Sequence, residues 1–231
     1  MNEPLDSFES KIQVTFQDKA LLRQAFVHRS YLNENPEFPQ GHNERLEFLG
    51  DAVLELIVTE YLYKTYPNPE GELTNWRSAL VKGEMLSEIA SELGMEPFLH
   101  LSKGEAKSSS DRSRSLILAN AFEAVIGAVY LDQGYDVAKE FVHRVLLGRL
   151  EEIIATGSHI DAKSRFQELA QERFGVTPSY EVLDERGPDH DKEFTVGVYL
   201  GEELAGKGEG ASKQAAQQEA ALVALQKHAE K

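Results

Sequence analysis

Three carboxylates, Glu44, Glu47 and Asp51, stand at i, i+3 and i+7 in the run Asn43-Glu-Arg-Leu-Glu-Phe-Leu-Gly-Asp-Ala52. At about 100° per residue along a helix they fall at roughly 0°, −60° and −20°, one narrow stripe. Like charges at this spacing repel by a few tenths of a kcal/mol per pair. A helix that also carries Leu46, Phe48, Leu49, Val53 and Leu56 has no local reason to collect them. A hard divalent cation supplies one, because Mg²⁺ takes carboxylate oxygens. A second acidic segment fits the same chemistry. Asn120 and Glu123 lie at i, i+3 among Ala121, Phe122, Val125 and Ile126, and a carboxylate buried there unpaired would be costly. If the two helices face each other, Glu47, Asp51, Asn120 and Glu123 form an all-oxygen ligand set. No His or Cys competes at that spacing, which favours Mg²⁺ or Mn²⁺ over Zn²⁺. Carboxylate-held Mg²⁺ polarises phosphoryl oxygens and activates water, so the expected chemistry is phosphodiester hydrolysis.

The elements that must hold these residues follow from hydrophobic periodicity. Apolar residues recur at helical spacing over Leu21–Leu32, Leu46–Tyr63, Trp76–Leu93, Leu116–Leu131 and Val137–Ile154. Breakers separate these stretches: Asn35-Pro36, Pro67 to Gly71, Gly94 with Pro97, and Gly134. The Lys-, Arg- and Ser-rich Ser102–Ser115 reads as a mobile surface loop. After the linker-like 156–160 the pattern changes. Lys163–Phe174 predicts a helix, and Ser179–Glu185, Glu193–Leu200 and Glu203–Gly208 predict strands. Ser212–Ala229 predicts a helix capped by Ser212. The expected architecture is an all-α catalytic domain over 1–155, a linker over 156–160, and an α+β domain of order α-β-β-β-α over 161–230.

The chain has 231 residues, 41% of them hydrophobic, enough for a core. It has no cysteine, which excludes disulfides and thiolate metal sites and fits a reducing compartment. The acidic first 16 residues lack the apolar region of a signal peptide. The run Ala121–Leu131, interrupted by Glu123, falls short of the roughly 20 residues a bilayer crossing needs. A soluble, cytoplasmic protein with no membrane partner is expected. The formal net charge of −15 argues against nucleic acid, unless one small basic face does the binding.

At the acidic runs the sequence becomes specific. Glu44 to Ala52 resembles the signature of the ribonuclease III family, and Ile117-Leu-Ala-Asn-Ala-Phe-Glu-Ala-Val-Ile-Gly127 resembles its second acidic motif. His28-Arg-Ser30 and Arg77 to Lys82 also sit where bacterial members carry similar runs. The resemblance implies a Mg²⁺-dependent endonuclease, with Mn²⁺ able to substitute, that cuts double-stranded RNA as a homodimer and leaves staggered ends. Precursor ribosomal RNA, with some messenger and transfer RNA precursors, is the implied substrate set. Carried over, Asp51 and Glu123 match catalytic acids, and Glu47, Asp51, Asn120 and Glu123 match metal ligands. Glu44 and Glu70 match further cleft acids, and Phe48 matches a dimer-interface position. Many members have Asp where this chain has Asn120. Asn offers a neutral carbonyl oxygen that hard cations accept, so the site carries one negative charge fewer.

The tail resembles a double-stranded RNA-binding domain. Such a module touches 2′-hydroxyls in the minor grooves and phosphates between them. Gln167 and Glu168 on its first helix, His190 in the loop before the second strand, and Ser212 with Lys213 at the start of the last helix are the expected RNA contacts. From Asp161 onward 9 Lys and Arg face 14 Asp and Glu, a net of 9 − 14 = −5; Gln214 and Gln217 stand where the family usually has lysines. Weak, salt-sensitive RNA binding by this domain is therefore expected. Gly206-Lys-Gly-Glu-Gly210 reads as a strand-to-helix turn without nucleotide-loop spacing. The pair Glu140/His143 is only one of the two Glu-x-x-His pairs a di-iron bundle requires. The remaining alternative is a duplex-RNA binder on the same fold that does not cut.

Overall fold

The computed structural model describes residues 5–108, 110–156, 162–188 and 192–229. The chain divides into two compact units, Met1–His159 and Ile160–Lys231.

The first unit is helical: α1 (Leu5–Ile12), α2 (Lys19–Ala25), α3 (Arg29–Glu34), α4 (Glu44–Thr65), α5 (Glu70–Leu80), α6 (Gly83–Glu92), α7 (Lys103–Ser108), α8 (Asp111–Gln133), α9 (Tyr135–Leu146) and α10 (Leu150–Thr156). Short 3₁₀ turns cover Glu96–Phe98 and Leu147–Arg149. α8 is the axis of the unit. Ala121, Phe122, Val125, Ile126, Ala128 and Val129 are fully buried, so the helix is apolar nearly all round, as an interior helix must be. By length and composition it could cross a bilayer, but 61% of its apolar window is buried inside the protein. Ser110 starts it by accepting the Ser113 N–H at 3.2 Å. Gly134 stops it at φ 85°, a left-handed conformation that suits glycine. Near its end, Asp132 accepts the N–H groups of Gln17 and Asp18 at 2.9 and 2.8 Å, which ties the N-terminal strand of chain to the core. Phe8, Phe26 and Phe98 stack at 5.1–5.5 Å between centroids.

Four expected segments differ in detail. Leu21–Leu32 is two helices. The backbone between them is spent on tertiary bonds: His28 N–H donates to His100 O at 3.1 Å, His100 N–H to Phe26 O at 2.9 Å, and Asn43 N–H to Val27 O at 2.8 Å. Trp76–Leu93 breaks at Lys82, which is extended (φ −64°, ψ 143°). Val137–Ile154 is interrupted by the 3₁₀ turn. Ser102–Ser115 is not a loop throughout: it contains α7 and the first turn of α8, held by Ser102 and Ser110 hydroxyls accepting N–H groups three residues on.

The second unit runs α11 (Ala162–Phe174), β1 (Ser179–Arg186), β2 (Glu193–Leu200), β3 (Glu203–Gly210) and α12 (Lys213–Ala229), with the three strands antiparallel in sequence order. Glycines 206–210 are not a turn but the end of β3. Gly206, Gly208 and Gly210 share one face by the period of two. A Cβ at Gly208 would lie 2.1 Å from the Ala220 nitrogen, and one at Gly206 2.5 Å from the Ala220 oxygen. The alternation of glycine lets α12 lie directly on the sheet through Ala216, Ala220 and Ala224, all fully buried.

Candidate catalytic cleft and RNA-binding face

The two acidic helices meet at their glycines. A Cβ at Gly50 on α4 would stand 1.8 Å from the Glu123 carbonyl oxygen, and one at Gly127 on α8 would stand 2.3 Å from the Leu46 carbonyl oxygen. The backbones therefore touch, and the side chains one turn away are forced to the rim of the crossing. Glu47 and Asp51 come from α4, Asn120 and Glu123 from α8. Asn43 fixes the entry of α4. It is buried, its side-chain amide donates to Ala25 O at 3.1 Å, and its carbonyl accepts the Glu47 N–H at 2.9 Å.

The electrostatics are those of acids short of positive charge. Burial, then Asp51, then Glu47 push the Glu123 carboxyl up to about 8. Burial, then Glu44 and Asp51, raise Glu47, while a hydrogen bond from the Asn120 amide pulls it back. Among the described residues no basic side chain pairs with Glu47, Asp51 or Glu123. Nor do three acidic or histidine groups there converge closely enough to ligate one ion as they stand. Repelling carboxylates stay apart, and Mg²⁺ keeps several waters between itself and few protein oxygens. The donor set, three carboxylates and one amide with a depleted positive field, suits a hard divalent cation.

The other expected residues lie as follows. Glu44 is the first residue of α4, exposed, 3.7 Å from both Arg29 and His42. Glu70 is not grouped with the acids. It opens α5, accepts the Thr74 hydroxyl at 3.0 Å, and lines a separate hollow of about 600 Å³ with Tyr63, Tyr66, Leu73 and Arg77. Phe48 is 80% exposed beside the acid stripe, and Tyr63 matches it at 80%. In the second unit Gln167 and Glu168 are exposed on α11. Ser212 caps α12, accepting the Ala215 N–H at 3.1 Å. The Lys213 ammonium lies over the Phe194 ring at 5.7 Å. His190 lies outside the described residues. Gln217, in place of a lysine, accepts the Lys163 ammonium at 2.7 Å and joins α12 to α11.

Gly127 and Asn43 are parts of this site that sequence reasoning passed over. A glycine seven residues after Asn120 and a polar cap just before α4 were the available signals.

Residues 18–150 match the model of the family described as Ribonuclease-III-like, and residues 162–228 match the double-stranded RNA binding motif. Ribonuclease 3 of Bacillus cereus is 45% identical over 227 residues, covering 97% of this chain and 91% of that protein. Ribonuclease 3 of Streptococcus pneumoniae is 43% identical over 232 residues, covering 98% and 97%. The solved nuclease domain of ribonuclease III from Campylobacter jejuni aligns at a TM-score of 0.55 and 37% identity, over 62% of this chain and 95% of that domain; its description concerns a region involved in dimer formation. The two domains occur in the order the fold requires, and the chain belongs to the bacterial ribonuclease III family of double-stranded-RNA endoribonucleases.

Proposed function

We propose that the cleft between α4 and α8 holds Mg²⁺, replaceable by Mn²⁺, through Glu47, Asp51, Asn120 and Glu123, and that the protein uses it to cut duplex RNA. The observation that carries this reading is the Glu123 carboxyl, pushed to about 8 by burial and by Asp51 and Glu47, at a backbone contact that only Gly50 and Gly127 permit. Bound there, the cation supplies Lewis acidity to a phosphoryl oxygen and to water. Asp51 and Glu123 would position the ion and the attacking water, and Glu47 and Asn120 would complete the coordination. Water gives up a proton to solvent as its oxygen bonds to phosphorus, the P–O3′ bond breaks, and the leaving oxygen takes a proton from solvent. The products are a 5′-phosphate and a 3′-hydroxyl.

The active form is a homodimer. Phe48, Ala52, Leu56 and Tyr63 span roughly 80° of α4, and Phe48, Leu56 and Tyr63 are 80%, 56% and 80% exposed. That face borders the acid stripe, Tyr63 also lines the hollow beside Glu70, and a two-fold interface would set the same patch of both subunits against each other. Two acid sites then act on opposite strands and leave staggered ends, with Glu44 and Glu70 as further cleft acids. Gln167, Glu168, His190, Ser212 and Lys213 hold the duplex. Residues 1–155 form the catalytic domain, 156–160 the linker and 161–230 the RNA-binding domain. Precursor ribosomal RNA, with some messenger and transfer RNA precursors, is the substrate set, and the cytoplasm the site of action, in keeping with the absence of cysteine. Incubating a labelled RNA duplex with the protein, with and without Mg²⁺, tests the reading. Mg²⁺-dependent, offset cuts ending in 5′-phosphate are expected. A duplex that shifts on a gel yet stays full length in either metal overturns it.

A further inference from the structure

The run His28-Arg-Ser30 meets the acid stripe only where Arg29 stands 3.7 Å from Glu44, and it faces the same end of α8. Between α3 and the first half of α8 lies a hollow of about 630 Å³, lined by His28, Arg29, Asn33, Glu105, Ser113 and Asn120 among others. Asn120 belongs to both places: its amide reaches Glu47, and it closes one end of the hollow.

The two neighbours are opposite in chemistry. The cleft is made of carboxylates. The hollow is rich in donors: a guanidinium, two amides, two hydroxyls and an imidazole. Its one carboxylate, Glu105, is engaged by the Ser113 hydroxyl at 3.3 Å. His28 Nδ1 accepts the Ser30 N–H at 3.3 Å and lies 2.8 Å from the Ser30 hydroxyl. That leaves the ring proton on Nε2, a further donor. The walls are built rather than incidental. Ser30 Oγ accepts the Ser102 N–H at 3.1 Å, and Ser102 Oγ accepts the Glu105 N–H at 3.1 Å, which ties α3 to α7, while the Ser113–Glu105 bond ties α7 to α8. Exposed Lys107 and Arg112 flank it in sequence on α7 and α8. Leu116, 61% exposed, adds an apolar lining. An acceptor-rich ligand with an apolar edge, bearing negative charge and continuous with a reacting phosphodiester, is a sugar–phosphate unit of the substrate strand.

We propose that this hollow seats one ribose-phosphate unit of the RNA strand adjacent to the scissile phosphate, with Arg29 and Asn33 as positioning residues. The proposal rests on the reading that duplex RNA is cut at the neighbouring acids. The hollow fixes the strand against α8 and so places the next phosphate over the cleft. Its guanidinium offsets charge that the acids would otherwise repel.

The test is a scan of single, neutral methylphosphonate linkages along each strand of a duplex, read as KM and kcat in Mg²⁺ for the full-length protein and for the double variant Arg29→Ala/Asn33→Ala. For the unaltered protein, one linkage near the cut is expected to raise KM about tenfold, the scale of a lost charged contact. In the double variant KM rises about as much on unmodified RNA, kcat stays within about threefold, and the same linkage adds nothing further. Arg29→Lys, keeping the charge, restores part of the loss. Identical methylphosphonate profiles for both proteins overturn the proposal while leaving the cleft reading intact. Failure of the unaltered protein to cut any duplex overturns the cleft reading, and this proposal with it.

Discussion

Gly50→Ala is the sharpest perturbation of the cleft, because one methyl group meets backbone and not a yielding side chain. The added Cβ would stand 1.8 Å from the Glu123 oxygen, 2.6 Å from its carbonyl carbon and 2.9 Å from the Gly127 nitrogen, where ordinary contact begins at 3.4 Å. The helices must part by 3.4 − 1.8 = 1.6 Å at the crossing. Overfilling a packed interior costs about 1–3 kcal/mol, which in a unit of this size lowers Tm by roughly 2–12 °C. The same displacement carries Glu123 away from Glu47 and Asp51, and a misplacement of about 1 Å can cost about 100-fold in rate. The assay pairs thermal unfolding with initial cleavage rates of an RNA duplex across a Mg²⁺ titration. Loss of at least about 100-fold in rate, with a raised Mg²⁺ requirement, is expected. Gly83→Ala is the control: a Cβ at the first residue of α6 meets nothing within 4 Å. It should leave cleavage unchanged and stabilise by about 0.4–1 kcal/mol. Cleavage and Tm at wild-type level in Gly50→Ala would refute the close crossing and the positioning built on it.

Further outcomes follow from the same geometry. The Glu123 carboxyl titrates at about 8 when folded, against an ordinary 4.5. The unfolded chain loses that proton first, so metal-free stability falls as pH rises from 4.5 to about 8 and is flat above. Glu123→Gln should flatten that slope in Tm-versus-pH curves and abolish cleavage; an unchanged slope assigns it to other groups. Asn120→Asp adds a charge and removes the amide that steadies Glu47. It should lower metal-free Tm and lower the Mg²⁺ concentration for half-maximal rate, and an unaltered Mg²⁺ profile excludes position 120 as a ligand that matters. Gly208→Ala, with its Cβ 2.1 Å from the Ala220 nitrogen, should unseat α12. Duplex binding should weaken while the near-ultraviolet signal of Trp76 in the first unit is kept; unaltered binding would contradict the role of the glycine face.

The acid stripe was legible because helical periodicity is local: Glu47 and Asp51 share a face whatever surrounds them. The facing of Glu123 was legible because a carboxylate among Ala121, Phe122 and Val125 needs a partner. The helix break at Val27–His28 was not, since it is set by the bond of His28 to His100 and that of Val27 to Asn43, 72 and 16 residues away in the chain. The α7 turn was hidden by a composition that suits loops as well as capped helix starts. Glycines misled in two ways. Gly206, Gly208 and Gly210 read as a turn, but their alternation marked a strand face pressed on Ala216, Ala220 and Ala224. Gly127 stands in sequence only as the end of the second acidic motif, although with Gly50 it sets how near the helices come. Glu70's separation from the acids follows from the turn at Tyr66–Pro69, which no helical wheel contains.

The most direct test is a crystal of the protein soaked in Mn²⁺ and read by anomalous scattering. A peak between α4 and α8, contacted by Glu47, Asp51 and Glu123 directly or through water, is the result expected. A fully soaked crystal with no ion there, or with the ion bound by other side chains, would contradict the cleft as the place where RNA is cut.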